Sequence, residues 1–155
     1  MTVLVTGASG LLGAALSRHL EAEGHYALPY PHRLEARNVA YMGCELAFLC
    51  AGTKGFAECE GNRAAFRADV DGNIALARWL LRRGTFVVFV STDAVEWALH
   101  TAYARNRFMV ELAIGWEPNV AIFRPAKFDA GNVGEAAKAL AGVGLERRAG
   151  LTRWP

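Results

Sequence analysis

The sequence has little of what membrane-spanning, disulfide-rich, metal-binding or nucleic-acid-binding proteins need. Its 155 residues include three cysteines, an odd number without the spacing of a zinc site or a disulfide framework. No apolar run approaches the roughly 20 residues that cross a membrane, and no basic leader marks a signal peptide. The net charge of +2 is too small to indicate a nucleic-acid partner. We therefore expect a cytoplasmic protein with reduced thiols, no metal site, and no membrane or nucleic-acid partner.

Glycine is abundant, and three glycines follow the first apolar run at a regular spacing. Val3 to Gly13 reads VLVTGASGLLG, so Gly7, Gly10 and Gly13 separate a short apolar run from a helical pattern. This order predicts a buried strand, a tight turn and a helix whose free N–H groups and positive dipole end attract a pyrophosphate. The alternative interpretation is an ordinary glycine-rich turn between a strand and a helix.

Apolar runs alternate with helical patterns along the whole chain, which indicates a parallel sheet covered on both faces. The predicted strands are Val3–Val5, Tyr26–Tyr30, Leu46–Ala51, Thr85–Val90 and Val120–Phe123, with an edge strand in the tail Arg147–Pro155. The predicted helices are Leu11–Glu23, Leu34–Met42, Asn62–Arg83, Tyr103–Ile114 and Asn132–Leu140. The stretch between Tyr30 and Leu46 has room for a single crossover. The sequence thus predicts one α/β domain over residues 1–155, a three-layer, doubly wound, Rossmann-like parallel sheet trimmed to five or six strands.

The Gly-x-x-Gly-x-x-Gly spacing resembles that of the short-chain dehydrogenase/reductase superfamily, in particular its extended branch of epimerases, dehydratases and reductases. Five further segments are similar to motifs of that branch. They are Phe48–Gly52, Ala68–Asn73, Phe89–Val95, Tyr103-x-x-x-Arg107 followed by Glu111, and Phe123–Pro125. Within the segment Phe89–Val95, Ser91-Thr92-Asp93 is the usual form of the motif in dTDP-4-dehydrorhamnose reductase-like proteins. The sequence therefore resembles that subgroup most.

The resemblance implies hydride transfer, with Tyr103, Thr92 and Arg107 as catalytic residues. Tyr103 would exchange a proton with a carbonyl or carbinol, and Thr92 would hydrogen-bond the substrate oxygen. The unperturbed pKa of tyrosine is near 10, so the phenol needs a nearby cation, and Arg107 lies one helical turn away. Tyr103 as a packing residue at a helix start, and Thr92 as an ordinary hydrogen-bonding residue at a strand end, remain as alternatives.

The resemblance also implies an NAD or NADP cofactor. The residues that it assigns to cofactor binding are Gly7, Ser9, Gly10, Leu11, Leu12, Gly13, Arg33, Cys50, Ala51, Gly52 and Arg107. A basic residue after the second strand suits a 2′-phosphate, so Arg33 favours NADP, unless it is a solvated loop residue. Trp97, between Thr92 and Tyr103, either covers a ligand or packs within its loop.

Four features depart from the family pattern. Arg107 replaces the lysine and cannot relay a proton, because its pKa is too high. Asp69 replaces an asparagine and cannot donate as an amide does. The loop between Thr92 and Tyr103 is short, and little of the C-terminal substrate-binding region is expected after Pro125.

These departures leave several functions open. The first is an NAD(P)-dependent oxidoreductase or epimerase acting on a nucleotide sugar or a small carbonyl compound. The second is a catalytically degenerate dinucleotide-binding or regulatory module, which holds a dinucleotide or nothing and acts through protein partners. A flavodoxin-like mononucleotide binder is a third. The small size of the chain also favours a homodimer.

Overall fold

The structure, a computed structural model, describes residues 1–30 and 43–155. Its strands are β1 (Thr2–Thr6), β2 (Tyr26–Pro29), β3 (Leu46–Leu49), β4 (Phe86–Val90), β5 (Val120–Pro125) and β6 (Gly150–Trp154). Its helices are α1 (Leu11–Ala22), α2 (Arg63–Phe66), α3 (Asn73–Leu81), α4 (Ala94–Trp97), α5 (Ala102–Ile114) and α6 (Val133–Leu145). The predicted helix Leu34–Met42 and the candidate cofactor residue Arg33 lie outside the described residues.

The six described strands form one sheet in the order β2-β1-β3-β4-β5-β6, and every pair of neighbours is parallel. The chain adds β2 on one side of β1 and then continues with β3 on the other side. This reversal creates a crevice beyond the carboxyl ends of β1 and β3, where ligands bind in doubly wound sheets. The predicted doubly wound α/β fold is confirmed, as is an edge strand near the C-terminus.

The core lies on both faces of the sheet, as expected for strands that read as continuous apolar runs. On one face, Leu16 and Leu20 of α1 pack with Leu140 of α6 against Phe48 and Phe123 of the sheet. On the other face, α3 and α5 pack against β3 and β4. Alternate residues of each strand point to opposite faces, so each strand contributes to both halves of the core.

The predicted long helix is present, with Asn62 as its N-cap, and it is helical from Arg63 to Leu81, but it is not α-helical throughout. A π-helical segment, Arg67–Gly72, separates α2 from α3. A π-helical turn contains an extra residue, and such turns are frequent at functional sites. This turn buries Asp69 to 2% exposure, and Asp69 lies beside the loop that follows β3.

Two other predictions about local structure need correction. Arg124 and Pro125 were expected after a strand that ends at Phe123, but β5 continues through both residues because they pair with β6. Trp97 was placed in a loop, whereas it ends the short helix α4. This helix follows β4 directly, and it therefore brings Trp97 to the carboxyl edge of the sheet.

Candidate functional site

A cleft of about 590 Å³ lies at the carboxyl edge of the sheet, beyond β1, β3 and β4. Most of the residues predicted to bind a cofactor or to act in catalysis line it. These are Gly7, Gly10, Leu11, Leu12, Gly13, Cys50, Gly52, Thr92, Tyr103 and Arg107. The fold therefore brings the predicted cofactor-binding and catalytic residues into one site.

Two predicted cofactor residues do not line this cleft. Ser9 is exposed on the turn, and Ala51 is half-buried next to the lining residues Cys50 and Gly52. Ala51 instead donates its N–H to Thr6 Oγ1 at 3.0 Å, and its carbonyl accepts a bond from Arg107. Ala51 thus serves to join the ends of β1 and β3, which form the floor of the cleft.

In the glycine loop, Gly7 to Gly13, the main chain lies in close contact with itself and with the main chain at Ala51. Gly7 has a φ of +65°, which favours glycine, and a Cβ there would lie 2.9 Å from the Ala51 backbone. A Cβ on Gly13 would lie 2.8 Å from the Gly7 carbonyl carbon and would overlap its oxygen. The three chain segments fit together only without these side chains, so the loop can hold the start of α1 directly over the strand ends.

The start of α1 presents unpaired donors to the cleft. Gly10 is the N-cap and has no side chain to accept a bond, and the first turn contains no acidic residue. Among the described residues, no acceptor is found for the N–H groups of Leu11, Leu12 and Gly13, and all three residues line the cleft. Unpaired N–H groups at the positive end of a helix dipole attract an anion such as a diphosphate.

Cys50 lies in the cleft between the glycine loop and Arg107. Burial raises the pKa of its thiol to about 12, although the positive charge of Arg107 opposes this shift. The side chain is therefore a neutral thiol at physiological pH, and it is a poor nucleophile. Cys50 therefore contributes a small, uncharged side chain to the lining of the cleft.

Arg107 is only 7% exposed, and its partners were not expected from the sequence. Its Nη1 donates to the carbonyl of Ala51 at 3.4 Å and to that of Val90 at 3.3 Å. These carbonyls lie at the ends of β3 and β4, so one guanidinium joins two neighbouring strands. Its Cζ is also 5.9 Å from the centre of the Tyr103 ring, which places a positive charge near that ring.

Gly52 is needed to accommodate the Arg107 guanidinium. A Cβ on Gly52 would lie 2.6 Å from Arg107 Cζ. We expect Gly52→Ala to displace the guanidinium and to lower the free energy of unfolding by about 1–3 kcal/mol, the usual cost of overpacking. In an Arg107→Lys background, Gly52→Ala should lower the free energy of unfolding by less, because lysine lacks the planar guanidinium group that the added Cβ would displace. Urea unfolding of the four variants measures this coupling, and equal costs in both backgrounds would contradict the assignment.

Thr92 and Tyr103 both line the cleft, in agreement with their predicted place. Thr92 Oγ1 accepts a bond from the Ala94 N–H at 3.2 Å and lies 3.4 Å from Asp93 Oδ1. The hydroxyl therefore also stabilises the start of α4. Tyr103 is half-buried in the first turn of α5, and its ring packs edge-on against Phe56 at 5.4 Å.

Several residues of the site were missed by sequence reasoning. Phe56 and Lys54 lie in the loop after β3, Asp93 follows β4, and Lys127 follows β5. Each stands just after the carboxyl end of a strand, and this shared position was the signal available in the sequence. The two lysines make the cleft more basic than Arg107 alone would, which suits a ligand that carries phosphate.

Asp69 accepts hydrogen bonds from donors in the loop that follows β3. Its Oδ1 accepts bonds from the Thr53 N–H at 2.8 Å and from Thr53 Oγ1 at 3.2 Å. The thiol of Cys59 lies 3.9 Å from the other carboxylate oxygen. All three partners are donors, so a carboxylate, which only accepts, suits this position. Asp69 thereby anchors the loop that carries Lys54 and Phe56.

A polar network runs from the buried carboxylate of Glu111 to the exposed side chain of Arg153. Glu111 of α5 accepts bonds from the Ser91 hydroxyl and from two guanidinium nitrogens of Arg124. Arg124 also binds Glu96 of α4 at 2.9 Å, and Arg153 of β6 binds the same carboxylate at 2.6 Å. Hydrogen bonds from Arg153 and Arg124 lower the pKa of Glu96. The network thus joins α4 and α5 to the ends of β4, β5 and β6.

No group of three or more potential metal ligands occurs in residues 1–30 and 43–155. Over the same ranges, no helix has the length and apolarity that crossing a membrane requires.

Comparison with known proteins shows structural but not sequence-level relatives. No family model and no curated protein matches the sequence. A dTDP-4-dehydrorhamnose reductase from Clostridium acetobutylicum superposes with a TM-score of 0.80 at 18% identity, over 99% of this chain and 73% of that one. MoeE5, solved in complex with UDP-glucose and NAD, superposes with a TM-score of 0.81 at 15% identity, over 99% of this chain and 75% of MoeE5.

A third solved structure is the dTDP-4-dehydrorhamnose reductase of Bacillus anthracis in complex with NADP. Its TM-score is 0.69 at 22% identity, over 81% of this chain and 53% of that one. At these identities the similarity concerns the fold. The chain therefore shares the Rossmann-like fold of these solved proteins, which is the fold that its motifs predicted.

Proposed function

We propose that this chain binds NAD or NADP in the cleft and acts as an oxidoreductase or epimerase on a nucleotide sugar or a small carbonyl compound. The observation that carries the proposal is the arrangement of one cleft. Unpaired N–H groups of Leu11, Leu12 and Gly13 line it, and so do Tyr103 and Thr92. The solved structures with the same fold include one with NAD and one with NADP, which supports this class of cofactor.

The residues of the cleft fit a dinucleotide. A diphosphate would accept bonds from the N–H groups at the start of α1, in a cradle that a side chain on Gly7 or Gly13 would fill. Arg33, by analogy with basic residues after a second strand, favours NADP over NAD. When bound, the nicotinamide supplies or accepts a hydride at the substrate carbon.

The protein's own side chains transfer the proton and orient the substrate oxygen. In reduction, the Tyr103 phenol gives its proton to the carbonyl oxygen, and in oxidation the phenolate takes the carbinol proton. The positive charge of Arg107 stabilises the negative charge on the phenol oxygen when the proton has left. The Thr92 hydroxyl, held at the end of β4, hydrogen-bonds the same substrate oxygen. Because a guanidinium retains its proton, the phenol must exchange protons with water rather than with Arg107.

Replacement of Tyr103 with phenylalanine tests the proposed role of its phenol. We expect Tyr103→Phe to lower turnover about 100- to 10,000-fold, the range for loss of a general acid, with unchanged dinucleotide affinity. Turnover is followed by the absorbance of NADH and NADPH with a panel of ketones and nucleotide sugars. Tyr26→Phe is the matched control, because Tyr26 is 62% exposed and lies outside the cleft.

A second candidate is a dinucleotide-binding module without catalysis. The observation in its favour is that Arg107 Nη1 is engaged by the carbonyls of Ala51 and Val90. Titration with each dinucleotide, followed by thermal unfolding, separates the candidates, because ligand at 100 times its Kd stabilises by about 2.7 kcal/mol. Stabilisation without turnover would favour the module, and absence of both would contradict each candidate.

A further inference from the structure

Three aromatic side chains from three different elements meet at one end of the cleft. Phe56 lies in the loop after β3, Trp97 ends α4, and Tyr103 lies in the first turn of α5. The ring centres of Phe56 and Tyr103 are 5.4 Å apart, and those of Phe56 and Trp97 are 6.1 Å apart. Both pairs pack edge-on, so the three rings form one continuous apolar surface, which we call the aromatic wall.

The aromatic wall is exposed to the cleft and yet held in place. Phe56 is 41% exposed and Trp97 is 63% exposed, which is unfavourable for large apolar rings in water. The Trp97 indole N–H lies 3.4 Å from Asp93 Oδ2. The loop that carries Phe56 is bound at one end by Asp69. At its other end, Glu60 Oε1 accepts the N–H of Ala102 at 2.6 Å.

The polar side chains of the cleft are mostly committed to the protein itself. Thr53 is bound to Asp69, Ser91 to Glu111, and Arg107 to two main-chain carbonyls. Thr92 and Asp93 are engaged with each other and with α4. Within the described part of the chain, this leaves the side chains of two lysines, the Tyr103 phenol and the proposed substrate contact of Thr92 as the cleft groups available to a substrate.

A hydroxyl-rich ring needs several fixed hydrogen-bonding partners, whereas a flat apolar ring needs a surface on which to pack. We propose that the aromatic wall binds a substrate through an aromatic ring, so that the substrate class is an aryl carbonyl or aryl carbinol. The ring packs on Trp97 and Phe56, and the oxygen of the adjacent carbon faces the Tyr103 phenol. The reaction rests on the proposed function, but recognition of the ring does not require turnover.

The test compares acetophenone with cyclohexyl methyl ketone, which carries the same carbonyl on a saturated ring. Binding of each to the full chain is measured by ligand-observed NMR titration, with and without saturating NADP. We expect acetophenone to bind about tenfold tighter, an advantage that aromatic packing can supply. Trp97→Ala should remove this advantage and Trp97→Phe should keep most of it. Trp116→Ala should have no effect, because Trp116 is exposed outside the cleft.

Equal affinity for the two ketones would overturn the proposal. So would binding of UDP-glucose that displaces acetophenone and is weakened equally by Trp97→Ala, because the wall would then recognise a sugar ring. If the chain binds neither NAD nor NADP, the proposed function fails. The ketone titration without dinucleotide then still decides whether the aromatic wall selects an aryl ring.

Discussion

Replacement of Gly13 with alanine is expected to abolish measurable binding of NAD and NADP. A Cβ at this position would overlap the Gly7 carbonyl oxygen, so the start of α1 must move away from β1. The N–H groups of Leu11 and Leu12 would move with it. Loss of two hydrogen bonds to a charged phosphate, each worth about 1.5–3 kcal/mol, weakens affinity at least about 100-fold.

The same substitution should also destabilise the free protein. Overpacking of a backbone contact costs about 1–3 kcal/mol, and only part of this is offset by the better helix propensity of alanine. Urea unfolding monitored by circular dichroism gives the stability, and calorimetric titration of each dinucleotide gives the affinity. The two measurements together show whether the variant is folded when its affinity is determined.

Gly134→Ala is the matched control. Gly134 lies near the start of α6, and a Cβ there would have no atom within 4 Å. Alanine in such an open helical position should raise the free energy of unfolding by about 0.5–1 kcal/mol and leave dinucleotide affinity unchanged. If Gly13→Ala retained the affinity of the unsubstituted chain, the pyrophosphate site could not be at the start of α1.

The parts of the site that the sequence could predict are those built from neighbours along the chain. The glycine loop is one example, because Val3–Val5, the three glycines and the helical pattern stand in one continuous segment. Tyr103 and Arg107 are another, since a spacing of four residues on a helix places both on one face. The doubly wound sheet was also predictable, because the continuous apolar runs and the alternation of strand and helix indicate it directly.

The parts that the sequence could not predict depend on contacts between distant segments. Nothing in the Tyr-x-x-x-Arg spacing indicates that Arg107 binds the carbonyls at the ends of β3 and β4. Asp69 was interpreted as a departure that loses a donor, whereas the structure gives it three donors to accept from. The π-helical turn that points Asp69 at this loop has no sequence signature of its own.

Exposed aromatic residues were the hardest to interpret. Trp97 was assigned either to a ligand or to its loop, and Phe56 received no assignment. The contact between these two rings depends on the conformation of the connections after β3 and β4. Hydrophobic periodicity does not predict that conformation. A single aromatic residue in a loop is uninformative, whereas three rings in contact at one cleft restrict the ligand.

Removal of the Arg124 guanidinium is the substitution with the largest expected effect on stability. Arg124 and Glu111 have side chains that are 11% and 8% exposed, and two guanidinium nitrogens contact the carboxylate. Hydrogen bonding to Glu111 raises the pKa of Arg124 above its ordinary value, so the guanidinium keeps its positive charge at neutral pH. Arg124→Met would leave a buried carboxylate without its counter-ion, which costs about 3–5 kcal/mol.

Two further variants show whether this loss of stability comes from the unpaired charge of Glu111. Arg153→Met removes a guanidinium that is 63% exposed and bound to Glu96, so it should cost no more than about 1 kcal/mol. Glu111→Gln combined with Arg124→Met leaves a neutral amide that can still accept the Ser91 hydroxyl, and it should recover much of the loss. Guanidinium chloride unfolding of the three variants provides the measurement. If Arg124→Met costs no more than Arg153→Met, Glu111 is not a buried charge that depends on Arg124, and the network cannot be what holds α5 against the sheet.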